Sequence, residues 1–256
     1  MGKIISITNQ KGGVGKTTSS INLSAAIAAT GKKVLVVDAD PQGNTTSGLG
    51  VEKNTLEDTL YELMIGDSST EECIIKNVCK NLDLIPANVN LAAAEIEILQ
   101  EPNNQFILKK ALDWVRDKYD FIIIDCPPSL STLTVNALSA SNSVLVPIQC
   151  EYFALEGLTS LINTVNLVKE RLNHDIDMEG VFFTMYDART KLSEEVVADV
   201  KQKLRGYTIF NSIIPTNVRL AEAPSQGMPI NEYDPTSTGA KAYESLAREI
   251  IKNNRK

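Results

Sequence analysis

Long apolar runs are missing from this 256-residue chain. Nowhere do about 18 consecutive apolar residues occur, so a membrane-spanning helix is not expected. The opening MGKIISITNQ lacks a signal-peptide core and runs directly into a strand pattern, which predicts a cytoplasmic protein. Cysteine is sparse: Cys73, Cys79, Cys126 and Cys150 form no C-x-x-C pair. That excludes a disulfide framework and speaks against a metal cluster, leaving reduced, buried thiols. Histidine is sparser still. His174 is the only one and sits at an apparent turn after a helical stretch, where capping or exposure explains it better than catalysis. Internal repeats, low-complexity segments and linkers are also absent.

Positive charge is in deficit too, with a formal net charge of -7. Taken over the whole chain this disfavours nucleic acid as a partner. The distribution is uneven, however: Arg189 to Lys256 holds 11 Lys or Arg against 8 Asp or Glu, so a local +3 leaves -10 on residues 1–188. Such a bias fits salt-sensitive, non-specific DNA contact if the charges share one face, and it fits a solvated helical face equally. Charge alone favours the solvated face.

What is present is a sizeable stock of core residues, with 43% of the chain hydrophobic. Apolar runs recur at IISI (4–7), VLVVD (34–38), LDLIP (82–86), FIIID (121–125), SVLVPI (143–148), GVFFTMY (180–186) and FNSIIP (210–215). Helical patterns lie between most of them, among them Leu56–Ile65, Phe106–Val115, Leu155–Leu172, Ser193–Leu204 and Ala240–Ile251. Strands that are apolar throughout and alternate with helices predict a mostly parallel, twisted sheet covered on both faces. The expectation is one α/β domain over residues 1–256, with ligands at the carboxyl ends of the strands.

At the end of the first strand stands KGGVGKTT, Lys11 to Thr18, followed by SSINLSAAIAA with Ile21, Leu23, Ala26 and Ile27 as its expected buried side. A glycine-rich turn between strand and helix aims several N–H groups and the positive helix end at one point, which suits a phosphate. Lys11, Gly12, Gly13, Val14, Gly15, Lys16, Thr17 and Thr18 are therefore the expected nucleotide contacts. Lys16 would reach the terminal phosphates, and the Thr17 hydroxyl would complete the coordination of Mg2+. The ordinary P-loop pattern fails at one place, because Gln10 stands where it requires glycine. In addition, a second lysine, Lys11, heads the loop. It cannot easily fold back onto phosphates its own loop already cradles, but a side chain pointing outward can reach a nucleotide on another subunit. An equivalent arginine supplied in trans is worth roughly three to five powers of ten in rate.

Two acidic loops belong at the same rim. DADPQGN follows the second strand, with Asp38 suited to a role near Mg2+ through water or near Lys16, and Asp40 suited to approach a water lined up on the terminal phosphate. FIIIDCPPS has the form of a Walker B strand, in which Asp125 would hold Mg2+ through water or Thr17.

With KGGVGKTT, DADPQGN and IIIDCPPS, the chain resembles the ParA/MinD group of deviant Walker A ATPases. QCEYFALEGL (149–158), TMYDART (184–190) and IPTNVRLAEAPSQGMPINEYDPTSTGAKAY (214–243) extend the likeness to Soj-type chromosomal ParA proteins from about Gly2 to Ala247. The resemblance implies a single-domain P-loop NTPase that binds ATP or ADP with Mg2+ and forms an ATP-dependent homodimer with both nucleotides buried between the subunits. The signature lysine then falls on Lys11, the P-loop lysine on Lys16, the Mg2+ ligand on Thr17 and the hydrolysis aspartate on Asp40. Adenine would lie against Pro215 and Asn217. The family's dimers bind double-stranded DNA without sequence preference through basic residues matching Arg189 and Arg219, with Lys201 and Lys203 as weaker candidates, and this reverses the reading of the basic bias. A ParB-type centromere-binding protein is the implied partner and trigger of a slow ATPase. Nucleoid association follows, with replication or sporulation control as further roles.

Relatives differ by what they would require. MinD ends in an amphipathic membrane-targeting helix, whereas REIIKNNRK has nothing apolar after Ile251, so membrane binding is not expected. The nitrogenase iron protein needs cluster cysteines that Cys126 and Cys150 do not match. Longer plasmid ParA proteins carry an N-terminal operator-reading domain, which is not expected where the ATPase pattern starts at residue 3. A synthetase or amidoligase on the same fold, a MinD-like positioning ATPase and a scaffold that binds ATP but seldom hydrolyses it are the alternatives.

Overall fold

The computed structural model describes residues 1–151 and 154–254, and the side chains of all of these except 154–156. Eight strands form one sheet: β1 (Lys3–Ile7), β2 (Val34–Asp38), β3 (Ile75–Cys79), β4 (Leu82–Ile85), β5 (Phe121–Asp125), β6 (Ser143–Gln149), β7 (Asp177–Tyr186) and β8 (Ile209–Pro215). Their order is β3-β4-β2-β5-β1-β6-β7-β8, parallel except for the β3–β4 pair. The helices described are α1 (Lys16–Ala29), α2 (Asn44–Gly48), α3 (Leu60–Ile65), α4 (Leu91–Glu97), α5 (Ile107–Asp113), α6 (Thr132–Ala140), α7 (Ala154–Arg171), α8 (Lys191–Lys203), α9 (Val218–Glu222), α10 (Ile230–Tyr233) and α11 (Thr238–Asn253). This is the α/β class expected, with helices on both faces.

Alternation along each strand divides the core. Ile5, Ile7, Val34, Val36 and Ile123 face one side, where α1 and α11 pack. Ile4, Leu35, Val37, Ile122 and Ile124 face the other, beneath α3, α4, α5 and α6. A third cluster joins β6 and β7 to α7 and α8. Successive strand side chains point to opposite faces, so a strand covered on both sides reads as continuously apolar. Fully burying one such aliphatic side chain is worth about 1.5–3 kcal/mol.

Three local differences have physical causes. The stripe expected on α1 is instead burial all round, from Ser19 to Ala28, because α11, α2 and α10 pack against it in addition to the sheet, and the small Ser and Ala side chains permit close approach. The helix expected from Leu56 begins at Leu60, since Thr59 and Glu62 close a capping box there. The strand β3 has no counterpart among the expected runs. Its Lys76 and Asn77 are exposed, so it lacks a continuous apolar run and pairs only as an antiparallel edge of β4.

The order β2-β5-β1 places three strand ends side by side. Ile7 and Asp38 each register with Asp125, so the loops after β1, β2 and β5 leave the sheet together. A chain that crosses from β1 over β5 to β2, and later back to β6 on the other side of β1, opens a crevice at this point.

Candidate nucleotide site

The loop from Lys11 to Gly15 turns between β1 and α1 on two glycines with left-handed backbones, Gly13 at φ +76° and Gly15 at φ +86°. Side chains with a Cβ adopt that region only at a cost. A Cβ built on Gly12 or Gly13 would meet nothing within 4 Å, so the loop presents bare backbone to open space. Val14 is turned inward and 1% exposed, its carbonyl accepting a hydrogen bond from Thr184 Oγ1 at 2.9 Å. The contribution of Val14 to a ligand is therefore through its backbone alone.

Lys16 opens α1 and is 7% exposed, with Nζ donating to the Lys11 carbonyl at 3.1 Å. Burial lowers the pKa of its ammonium, while Asp125, Cys126 and Asp40 pull in the opposite direction. Directly below lies Asp125, fully buried. Its Oδ2 accepts from Thr17 Oγ1 at 2.9 Å and Thr45 Oγ1 at 2.8 Å, and its Oδ1 accepts from Ser20 Oγ at 2.9 Å. Burial pushes the Asp125 carboxyl above the usual carboxylate range despite these three donors. Asp38 is raised by burial and by the neighbouring Asp125 charge.

Asp38 and Asp40 have separate sets of partners. Asp38 Oδ2 accepts from the Thr46 N–H at 2.8 Å and Thr46 Oγ1 at 2.7 Å, while Oδ1 accepts from the Asp40 N–H at 3.3 Å. Its contacts thus go to the loop bearing Asp40 and not to Lys16. Asp40 is partly exposed, accepts from the Gln42 N–H at 2.9 Å, and faces the loop glycines across a cavity of about 280 Å3. A second cavity of about 240 Å3 adjoins it, walled by Thr184, Met185, Ile214, Pro215, Thr216, Asn217, Leu220 and Tyr243. The two share Gly15, Thr18 and Met185. The expected base residues Pro215 and Asn217 therefore stand next to the phosphate loop. Asn217 also caps α9, accepting from the Leu220 N–H at 3.3 Å, and donates to Thr238 Oγ1 at 2.8 Å.

Lys11 does not project freely. In this single chain its ammonium is ion-paired with Glu151, just after β6. Gln10, the residue in place of glycine, is held by α7: its Nε2 donates to Thr164 Oγ1 at 3.3 Å and its Oε1 accepts from Ser160 Oγ at 3.0 Å.

The basic candidates do not form one group. Arg189 and Arg219 follow the ends of β7 and β8 and so share the carboxyl side of the sheet. Both are already paired. Arg189 forks onto Asp187, with Nε 2.9 Å from Oδ1 and Nη2 2.7 Å from Oδ2, holding that carboxyl down to about 2. Arg219 reaches Glu222 at 2.9 Å and lies 3.7 Å from Asp234. Lys201 and Lys203 end α8, which must run back between parallel β7 and β8, so they sit roughly 15 Å along the helix from its start, toward the opposite pole. Tyr152 and Phe153 of QCEYFALEGL, and the basic Arg255 and Lys256, lie outside the described residues.

Several site residues escaped the sequence. Ser20, Thr45 and Thr46 hold the two aspartates, and the adjacent Thr45-Thr46 directly after DADPQGN was a local signal for them. Thr184, Met185 and Tyr243 lie in segments that carry the family resemblance, but no residue pattern within those segments marked them as cavity residues. Tyr243 reaches the cavity from α11, where its hydroxyl lies 2.9 Å from Ser19 Oγ, 224 residues away in sequence. His174 is exposed, Nδ1 2.8 Å from the Lys169 carbonyl at the end of α7. The cysteines are free, and among the described residues no His, Cys, Asp or Glu side chains gather as a metal-binding group.

Comparison with known proteins places this geometry. A family model described as an AAA domain matches residues 2–178. The sporulation initiation inhibitor protein Soj of Bacillus subtilis (strain 168) is 54% identical over 253 residues, covering 99% of this chain and 100% of that protein. The chain belongs to the Soj/ParA family of partitioning ATPases. A second relative of this family, the chromosome-partitioning ATPase Soj of Treponema pallidum (strain Nichols), is 52% identical over 251 residues and 98% of each chain. Among solved structures, cobyrinic acid a,c-diamide synthase from Mycobacterium smegmatis with an ATP analogue and magnesium superposes at a TM-score of 0.87 and 33% identity, over 99% of this chain and 96% of that one. The Soj/ParA chain thus shares its fold with an amide-forming enzyme. No helix among the described residues is long and apolar enough to cross a membrane.

Proposed function

We propose that this Soj/ParA-family chain is a DNA-partitioning ATPase whose nucleotide times its attachment to DNA. ATP with Mg2+ would join two copies into a homodimer, the dimer would bind double-stranded DNA without sequence preference, and a ParB-type partner would trigger hydrolysis and release. The observation that carries the reading is the bare glycine loop set over the Thr17–Asp125 pair, with a second lysine at its mouth.

The residues suit a Mg2+–nucleotide. Open space above Gly12 and Gly13 leaves backbone N–H groups for phosphate oxygens, and Lys16 stands at the loop with its Nζ held by a carbonyl it can exchange for phosphate. Thr17, with Asp125 behind its hydroxyl, would hold Mg2+, which when bound offsets the negative charge of the terminal phosphates. Asp38 fixes the backbone of Asp40, and the Asp40 carboxylate would orient the attacking water. Lys11 would exchange Glu151 for the phosphates of the partner's nucleotide, so dimerisation completes each site. A slow intrinsic rate suits a timer whose release is set by where the partner is met. The protein would be cytoplasmic and associated with the nucleoid.

A second reading is favoured by the diamide synthase likeness: an amidoligase that phosphorylates a carboxylate. Turnover measured alone, with DNA, and with DNA plus a ParB-type peptide separates the two. Stimulation by DNA and peptide is expected, and Asp40→Ala should leave ATP-bound dimers that persist on size exclusion. Absence of stimulation, together with turnover on a small carboxylate, would overturn the partitioning mechanism.

A further inference from the structure

Met185 stands where the phosphate-side and base-side cavities meet, lining both. It is unusual in its backbone. Its φ of +51° lies in the left-handed region, which a residue with a long side chain seldom adopts. The cause is visible in the pairing of β7 with β8: Phe183 registers with Ile213 and Tyr186 with Pro215, so three steps on β7 match two on β8. The extra residue makes a bulge, and bulges beside sites re-aim a side chain that would otherwise lie in the sheet.

The flanks of the bulge are pinned. On one side, Thr184 Oγ1 bonds the Val14 carbonyl of the loop, and the Thr184 carbonyl accepts the Cys150 N–H at 3.4 Å. On the other, the Tyr186 carbonyl accepts the Thr216 N–H at 3.0 Å, from the segment that walls the base-side cavity. Met185 is therefore strung between the phosphate loop and the base wall, 40% exposed, with its Cε 3.9 Å from the place a Cβ on Gly15 would occupy. Backbone strain persists only where surrounding structure over-determines it, and it collects at ligand clamps.

We propose that Met185 is a positioning residue for the nucleotide, its thioether side chain forming the wall over which phosphates and base are joined and slowing the ligand's departure. An unbranched, polarisable side chain suits this place, because it can settle against a ligand without a fixed shape. The inference rests on the nucleotide-site reading above.

The test uses the full chain with a fluorescent ADP analogue and Mg2+, measuring dissociation by chase, alongside thermal melts without nucleotide. Met185→Gly removes both the wall and the left-handed penalty. It should melt at or above the parent yet release nucleotide on the order of tenfold faster. Met185→Ala keeps the backbone penalty and should also release faster, whereas Met185→Leu should stay within about twofold of the parent, restoring the apolar wall. Parental release rates in both the Gly and Ala variants overturn the proposal, as does a Gly variant that melts well below the parent. Failure of the parent itself to bind the analogue overturns the nucleotide-site reading instead.

Discussion

Gly12 and Gly13 are neighbours with equal room above them, yet they should answer a methyl group differently. At Gly13 the backbone sits at φ +76°, and an alanine there costs about 1–2 kcal/mol from contact between its Cβ and the backbone. In a protein of this size the melting midpoint moves by about 2–4 °C per kcal/mol, so nucleotide-free Gly13→Ala should melt roughly 2–8 °C below the parent. Gly12 has no left-handed backbone, and its added Cβ meets nothing within 4 Å. Gly12→Ala mainly restricts the unfolded chain, a gain of about 0.4–1 kcal/mol, and should melt at or slightly above the parent. Both methyl groups nevertheless stand in the space assigned to phosphate. Both variants should therefore lose most of the rise in melting midpoint that Mg2+ and ATP give the parent. Differential scanning fluorimetry with and without Mg2+–ATP reads both effects in one experiment. If Gly12→Ala keeps the full nucleotide-induced rise, the open space above the loop is not the phosphate site. If Gly13→Ala melts with the parent, the strain argument fails.

Two further outcomes follow from charged clusters. Arg189→Glu should weaken DNA binding and lower its salt slope by about one, because one DNA phosphate fewer is neutralised, while ATP-dependent dimers persist on size exclusion. Asp187→Asn should act in the opposite direction, because it frees a guanidinium now forked onto that carboxylate; unchanged DNA affinity in both variants, by fluorescence anisotropy at fixed salt, places the contact surface elsewhere. At the opposite pole, burial alone would raise the Asp83 carboxyl, but donors from Tyr119, Asn77 and Lys76 outweigh it and hold it below its ordinary value. Its contribution to stability is complete above the unfolded carboxylate range and fades as pH falls through the lower folded value. Asp83→Asn should thus lower the melting midpoint at pH 7 and narrow its gap to the parent as pH falls through the acid range, with equal gaps at every pH refuting the assignment.

The sheet was legible because a parallel strand covered on both faces must be apolar at every position, as Val34 to Val37 and Phe121 to Ile124 are. That the glycine-rich loop, Asp38 and Asp125 share one rim was legible because each lies at the end of such a run. What could not be read were partners set by topology. Asp38 and Asp125 become neighbours only because β5 inserts between β1 and β2, and no local pattern reports that order. Tyr243 enters the base-side cavity because α11 packs across α1, and Met185 because β7 carries one residue more than β8 at its end. A single aromatic in a helical apolar pattern, or a methionine at a strand end, reads as core until the neighbour is known.

Gln10 and Lys11 show what that topology adds to a motif. In sequence they are one missing glycine and one lysine too many, and the lysine alone points to a second subunit. In the folded chain both are held by the β6–α7 segment, Lys11 by Glu151 and Gln10 by Ser160 and Thr164 one turn apart on α7. A glycine at position 10 would offer no side chain for that grip. The departure from the ordinary loop therefore ties the mouth of the nucleotide site to a helix of 18 residues on the sheet's flank. For Lys11 to serve a partner's nucleotide it must leave Glu151, an exchange between two partly exposed partners that takes little free energy compared with binding a phosphate. On the proposed function the lysine, held by Glu151 in the single chain, would be released where a second copy offers a stronger anion, and the active unit would be a pair without the loop itself having to refold.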